Sequence, residues 1–186
     1  SQQYSASERT LQVWSSKNWK SQQDLACNCG DVLSLHILGD VLFCGTSEGG
    51  VIAWDLTSWV VIDRLTEHVG EVQALTSLDA RYLITGSSDA MLLLWDTKQI
   101  RCQAGGKGGG CKIVQQLEST DSFQSINCVA ACSERGIIVS ASSDNCVRIW
   151  RKPESKAWEC DQTVALSCEI KAITMVDSVD CFAVAL

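Results

Sequence analysis

Four stretches of this chain repeat one pattern. Gly45-Thr46-Ser47-Glu48 runs on to Trp54-Asp55, Gly86-Ser87-Ser88-Asp89 to Trp95-Asp96, Ala141-Ser142-Ser143-Asp144 to Trp150-Arg151, and Ser5-Ala6-Ser7-Glu8 to Trp14. The closing tryptophans stand 40, 41 and 55 residues apart. A unit recurring about every forty residues is one supersecondary module. Such a module is too small to bury its own apolar face and is stabilised by stacking on copies of itself.

Within each unit apolar residues alternate over short runs bounded by turn formers, as half-buried antiparallel strands require. Each unit reads as four strands, a to d. In the third, strand a is expected at Glu71 to Leu75, b at Tyr82 to Gly86, c at Met91 to Trp95, and d from Ile100 or from Cys111 onward. Ser77-Leu78-Asp79-Ala80-Arg81 and Ser87-Ser88-Asp89-Ala90 separate them, and both suit tight turns. The spacing holds beyond the strands. A Leu recurs eleven residues after the closing Trp (Leu25, Leu65), a Val seven later (Val32, Val72), and a second Trp at plus five (Trp19, Trp59). These repeated residues are expected to pack between neighbouring units.

On these residues the chain resembles the WD40-repeat family along nearly its whole length. The resemblance implies an all-β propeller of four-stranded antiparallel blades, an incomplete part of a seven- or eight-bladed ring. Blade ranges follow: 1–25 the end of a first blade, 26–65 the second, 66–117 the third with a Gly-rich insertion near 100–110, 118–164 the fourth, and 165–186 the start of a fifth. The chain thus reads as starting and stopping inside a blade. The family's structural tetrad carries over most fully in the third blade, onto His68, Thr85, Asp89 and Trp95. It implies a buried hydrogen-bond chain from acid to imidazole to hydroxyl to indole. The place of His68 is taken by Asn28 in the second blade and falls near Ser122 in the fourth, with Glu48 and Asp144 as the turn acids. Those tetrads read as incomplete, which leaves their blades to rely on packing. A His, a hydroxyl and an acid also suggest a nucleophilic triad, but a nucleophile inside a strand without a glycine elbow does not fit that chemistry.

Composition narrows the function classes. The chain has 186 residues, 46% of them hydrophobic, enough for a sizeable core. Eleven cysteines are an odd number, and Cys44, Cys128 and Cys146 sit among apolar strand residues, so buried reduced thiols in an intracellular protein are expected. Cys27 and Cys29 are C-x-C and Cys128 and Cys132 are C-x3-C, neither a zinc nor a redox spacing, and His36 and His68 lie elsewhere. No metal, cofactor or catalytic residue is therefore read. The net charge of -7 gives no basic footprint for nucleic acid. No apolar run approaches the ~20 residues that span a bilayer.

Two surfaces are candidates for partners. After Trp95-Asp96 the run Ala104-Gly105-Gly106-Lys107-Gly108-Gly109-Gly110 intervenes, an insertion between strands c and d on what the resemblance makes the bottom face. It lacks the G-x4-G-K-S/T spacing of a phosphate loop, so it reads as a flexible loop whose Lys107 and Lys112 face an acidic partner. On the top face Glu48, Glu67, Glu71, Ser88, Asp121, Gln124 and Ser143 are expected to cluster and to meet a partner with basic or polar residues. The resemblance implies a non-catalytic protein-interaction scaffold in the cytoplasm, the nucleus or an assembly. Two alternatives stand beside it: a substrate-recognition module of a larger enzyme such as a ubiquitin ligase or kinase, and a structural subunit of a ciliary, ribosomal or organellar assembly.

Overall fold

The computed structural model describes residues 10–100, 110–118, 124–154, 157–176 and 181–186. They form sixteen strands with no α-helix among them. A first antiparallel pair, β1 (Thr10–Trp14) and β2 (Ser21–Ala26), is followed by three four-stranded sheets. The first of these is β3 (Val32–Leu38), β4 (Val41–Thr46), β5 (Val51–Asp55) and β6 (Val61–Leu65). The second is β7 (Val72–Leu78), β8 (Tyr82–Ser87), β9 (Met91–Asp96) and β10 (Lys112–Glu118), and the third β11 (Ile126–Cys132), β12 (Ile137–Ser142), β13 (Cys146–Arg151) and β14 (Glu159–Ala165). A last pair joins β15 (Ala172–Val176) to β16 (Cys181–Ala185). In each four-stranded sheet the strands pair in sequence order, all antiparallel. The sheets are called the second, third and fourth blades below.

The core lies between blades. Phe43, Val51 and Ala53 of the second blade pack on Val72, Leu83, Leu93 and Trp95 of the third. Ile84, Leu92 and Leu94 of the third meet Ile126, Ile138 and Trp150 of the fourth, and similar clusters join β1–β2 to the second blade and the fourth blade to β15–β16. β4 and β12 depart from the half-buried alternation expected of the strands: they are buried at every position because each is covered on both faces. The outer strand β14 is mostly exposed. Each fully buried large side chain contributes roughly 1.5–3 kcal/mol, so the interfaces hold the stack together.

The repeat extends to turn geometry. The b-to-c turns end in Gly49, Ala90 and Asn145, all left-handed (φ 84°, 68° and 63°), after a turn closed by the Gly49, Ala90 and Asn145 N–H groups. Strand a carries a register shift near its start in all three blades, at Val32/Ser34, Val72/Ala74 and Ile126/Cys128.

Two expectations are corrected. Strand a of the third blade runs to Leu78, so Ser77 and Leu78 belong to the strand and the turn begins at Asp79, which is itself left-handed (φ 57°). Trp19 and Trp59 recur for a different reason from Leu25 and Leu65. Both tryptophans occupy the left-handed residue of a tight c-to-d connection (φ 56° and 54°), their N–H groups bonded to the Ser15 and Asp55 carbonyls. Trp59 lies half-buried against the cluster between β1–β2 and the second blade, whereas Trp19 is 78% exposed and packs between no blades.

Candidate functional site

Each blade meets its neighbours at two edges. The upper edge carries the d-to-a loops and the b-to-c turns, the lower edge the a-to-b turns and the c-to-d connections. The upper corner of the third blade holds the four residues singled out by spacing. His68, in the loop before β7, places Nδ1 2.8 Å from Asp89 Oδ2 and Nε2 2.7 Å from Thr85 Oγ1, and the Trp95 indole N–H donates to that same hydroxyl at 3.0 Å. With Nδ1–H donating to Asp89, Nε2 accepts the Thr85 O–H and Thr85 accepts from Trp95, so every polar atom is satisfied. Burial works to raise the Asp89 carboxyl, but the His68 bond and charge and the Met91 and Val69 N–H groups outweigh it and hold it below its ordinary value. Thr85 is fully buried. No substrate reaches its hydroxyl, so the arrangement is a strut that fixes the loop to the sheet.

The other two blades solve the corner differently. Ten residues before the closing Trp stands Ser140 in the fourth blade, and Trp150 donates to it at 2.9 Å. There the turn acid Asp144 pairs with Arg148 (2.6 Å), whose side chain is 3% exposed and lies in β13 directly opposite Ser140. Burial works against the guanidinium charge, and Asp144 outweighs it. The fourth blade thus keeps the indole–hydroxyl bond and the turn acid, and an arginine two residues before the Trp, where the other blades have Ile52 and Leu93, pairs with that acid. Ser122 lies outside the described residues. In the second blade the corresponding hydroxyl is replaced by Cys44, and the buried Trp54 Nε1 has no hydrogen-bond partner. The sulfur lies beside it without good bonding geometry, and burial pushes the Cys44 thiol up to about 12. Asn28 and Glu48 are exposed.

Around these corners the upper edge forms one continuous rim. Within each blade the b-to-c turn is tied to the loop that precedes strand a: Ser47 N–H to Asp31 O, Ser88 N–H to Glu71 O, and Ser143 N–H to Ser125 O, each at 2.9 Å. Between blades, Gly49 sits so close to the His68 carbonyl that an added Cβ would approach it to 2.5 Å. Gln73 donates to Glu71 (2.9 Å) and accepts from Ser125 (3.2 Å), and the Ser143 hydroxyl donates to Gln124 (3.2 Å). The structure therefore places Glu48, Glu71, Ser88 and Ser143 on adjoining loops of one arc, where Glu48, Glu71 and Ser143 are exposed and Ser88 is half-buried. Asp31 and Glu67 are exposed on the same loops, and residues 27–31, 47–50, 66–71 and 88–90 contain no Lys or Arg. Arg64 reaches Cys29 from the side at 3.8 Å. Val69, 88% exposed, stands among the carboxylates. Asp121 lies outside the described residues.

Lys112 is exposed at the opposite, lower edge, facing Asp96 across the strands. Lys107 lies outside the described residues. Where the Gly-rich connection rejoins the third blade, the Cys111 N–H donates to Asp63 of the second blade at 2.7 Å, and a Cβ on Gly110 would fall 2.4 Å from the same carboxylate. Among the described residues no three His, Cys, Asp or Glu side chains are grouped to hold a metal ion, and no helix is long and apolar enough to cross a membrane. The described cysteines are unpaired, and they range from buried Cys27 and Cys44 through half-buried Cys128 and Cys146 to exposed Cys160, Cys168 and Cys181.

Antiparallel four-stranded blades stacked face to face, with the b-to-c turn and its backbone tie to the loop before strand a repeated in all three, are the architecture of WD40-type propeller blades. The family model described as "WD domain, G-beta repeat" matches residues 59–96 and 111–151, the third blade and most of the fourth. The chain is similar to "Mitochondrial division protein 1" of Vanderwaltozyma polyspora, at 28% identity over 72% of this chain and 19% of the relative. It is also similar to "Elongator complex protein 2" of Danio rerio (29% identity, 63% of this chain, 15% of the relative) and to "Ribosome biogenesis protein YTM1" of Eremothecium gossypii (26% identity, 64% and 26%). The chain spans about a quarter or less of the length of these relatives.

Proposed function

We propose that this chain is a non-catalytic protein-interaction scaffold whose acidic upper rim receives a cationic segment of a partner protein. The observation that carries the proposal is the arc itself. Asp31, Glu48, Glu67 and Glu71 are exposed on adjoining loops that hold no Lys or Arg, with the one imidazole, His68, buried beneath, and the His68 strut and backbone bonds fix those loops in place. Preorganised carboxylates steer and orient a basic segment without the ordering cost that mobile loops would incur. Exposed Val69 adds an apolar contact in the middle of the arc. The same charges repel a phosphate backbone, which argues for protein rather than nucleic acid at this edge. The unpaired thiols suit a reducing compartment.

A second reading, subunit of a large assembly, is favoured by relatives named for the Elongator complex and for ribosome biogenesis. It uses the same rim, with the partner a neighbouring subunit. The test is recovery of partners by the full-length protein against its Glu48→Lys/Glu71→Lys variant. Loss of a partner that the wild type retains, with the variant still folded, supports the rim. An unchanged set of partners overturns it.

A further inference from the structure

The lower edge holds a second, oppositely charged surface. Between the third and fourth blades lies a hollow of about 490 Å³ lined by Leu78, Tyr82, Leu94, Val114 and Trp158, within the size range of ligand clefts. Its walls are fixed. Gln115 clamps the Trp158 backbone in both directions, donating to the carbonyl at 2.7 Å and accepting from the N–H at 2.8 Å. The a-to-b turns of the two blades are tied by the Asp79 N–H donating to Ser133 Oγ at 2.6 Å. Val114 is 51% exposed, an apolar side chain held open at the mouth.

The charges around the mouth select the occupant. Arg135 and Lys152 line the hollow opposite a single carboxylate, Asp79. The Arg81 guanidinium stacks 5.0 Å from the Tyr82 ring centre and is paired with Asp96. Beyond it a smaller hollow is lined by Arg81, Asp96, Lys98 and Lys112. The two hollows together carry five cationic side chains against two carboxylates, in a chain whose net charge is -7. Lys98, Lys112 and Lys152 have no ion-pair partner among the described residues.

We propose that this groove is a second docking site, for an acidic peptide segment that inserts one large apolar side chain between the third and fourth blades and sets its carboxylates against Lys152, Arg135 and Lys112. The proposal deepens the scaffold reading by giving the chain two faces of opposite charge, so that a basic segment and an acidic one engage at once. The groove stands on its own observations and survives if the rim binds nothing.

The experiment is fluorescence anisotropy of the full chain with a labelled decapeptide in which a central Phe is flanked by Asp and Glu, beside the same peptide with Lys in place of the acids. The acidic peptide binds, its affinity falls with added salt, and Lys152→Glu or Val114→Glu weakens it on the order of tenfold or more. Glu71→Lys, on the rim, leaves it unchanged. Equal binding of the Lys peptide, or acidic-peptide binding untouched by Lys152→Glu and Val114→Glu in folded protein, overturns the proposal. So does a concentration-dependent dimer that Val114→Glu abolishes, since a second copy then fills the groove. Failure of the Glu48→Lys/Glu71→Lys capture test with groove binding intact removes only the rim.

Discussion

The third and fourth blades build the same corner from different chemistry. In the third, an imidazole from the preceding loop bridges the turn acid Asp89 and the strand hydroxyl Thr85. In the fourth, Arg148 reaches Asp144 from within its own sheet, while Ser140 still takes the Trp150 indole. The imidazole ties a loop to the sheet and so fixes the rim above it. The arginine pairs with the turn acid from β13, within one strand and its own turn. The imidazole fixes a loop against the sheet, and the arginine fixes a turn against its own strand.

Removing the shared element should cost most. Trp95→Ala and Trp150→Ala are each expected to destabilise by about 3–5 kcal/mol in denaturant unfolding, since a large side chain at an inter-blade face is lost together with a hydrogen bond. Arg148→Leu withdraws the guanidinium from a half-buried carboxylate and is expected to cost about 1–3 kcal/mol, with the added change Asp144→Asn recovering part of it. His68→Ala should cost about 1–3 kcal/mol. Its signature is local: hydrogen exchange should rise in residues 66–71 beside the strut, where Arg148→Leu leaves them protected. Equal exchange in the two variants would break the contrast.

Smaller changes sharpen the comparison through the second blade, whose corner has neither bridge. Cys44→Thr offers the Trp54 indole an acceptor and is expected to stabilise by about 0.5–1.5 kcal/mol, read as a shift in unfolding midpoint. His36 of that blade has its pKa lowered by burial from the ordinary 6.5. The unfolded chain therefore binds the proton more readily, so this contribution is fully present above 6.5 and declines as the pH falls below it. In His36→Gln that part of the acid slope should vanish. Ala90→Gly relieves a left-handed alanine and should stabilise by about 1 kcal/mol, with Gly49 of the second blade as the natural precedent.

Much of this was legible in the sequence, for physical reasons. Period and strand order follow from spacing, whereas the central strands expected to be half-buried are covered on both faces, because a blade can bury its faces only against its neighbours. His68, Thr85, Asp89 and Trp95 stand at readable offsets and lie within hydrogen-bond distance of one another. Trp19 and Trp59 misled because periodicity records that a position matters and not why: a turn that demands a left-handed residue recurs as faithfully as a core contact. The Arg148 bridge was available as a charge on a strand face that the other blades fill with Ile52 and Leu93, a mismatch that needs a partner when buried. The lower groove left no such trace, since its lining comes from several connections whose approach only the packing of two blades determines.

The most direct measurement is zero-length carbodiimide crosslinking of the full-length protein in its native assembly, which joins carboxylates to lysines of whatever touches them. Crosslinks to a partner's lysines concentrated at Asp31, Glu48, Glu67 and Glu71 are the expected result. Partner crosslinks that fall on the outer strands, with those four carboxylates unmodified, would contradict the rim as the docking surface.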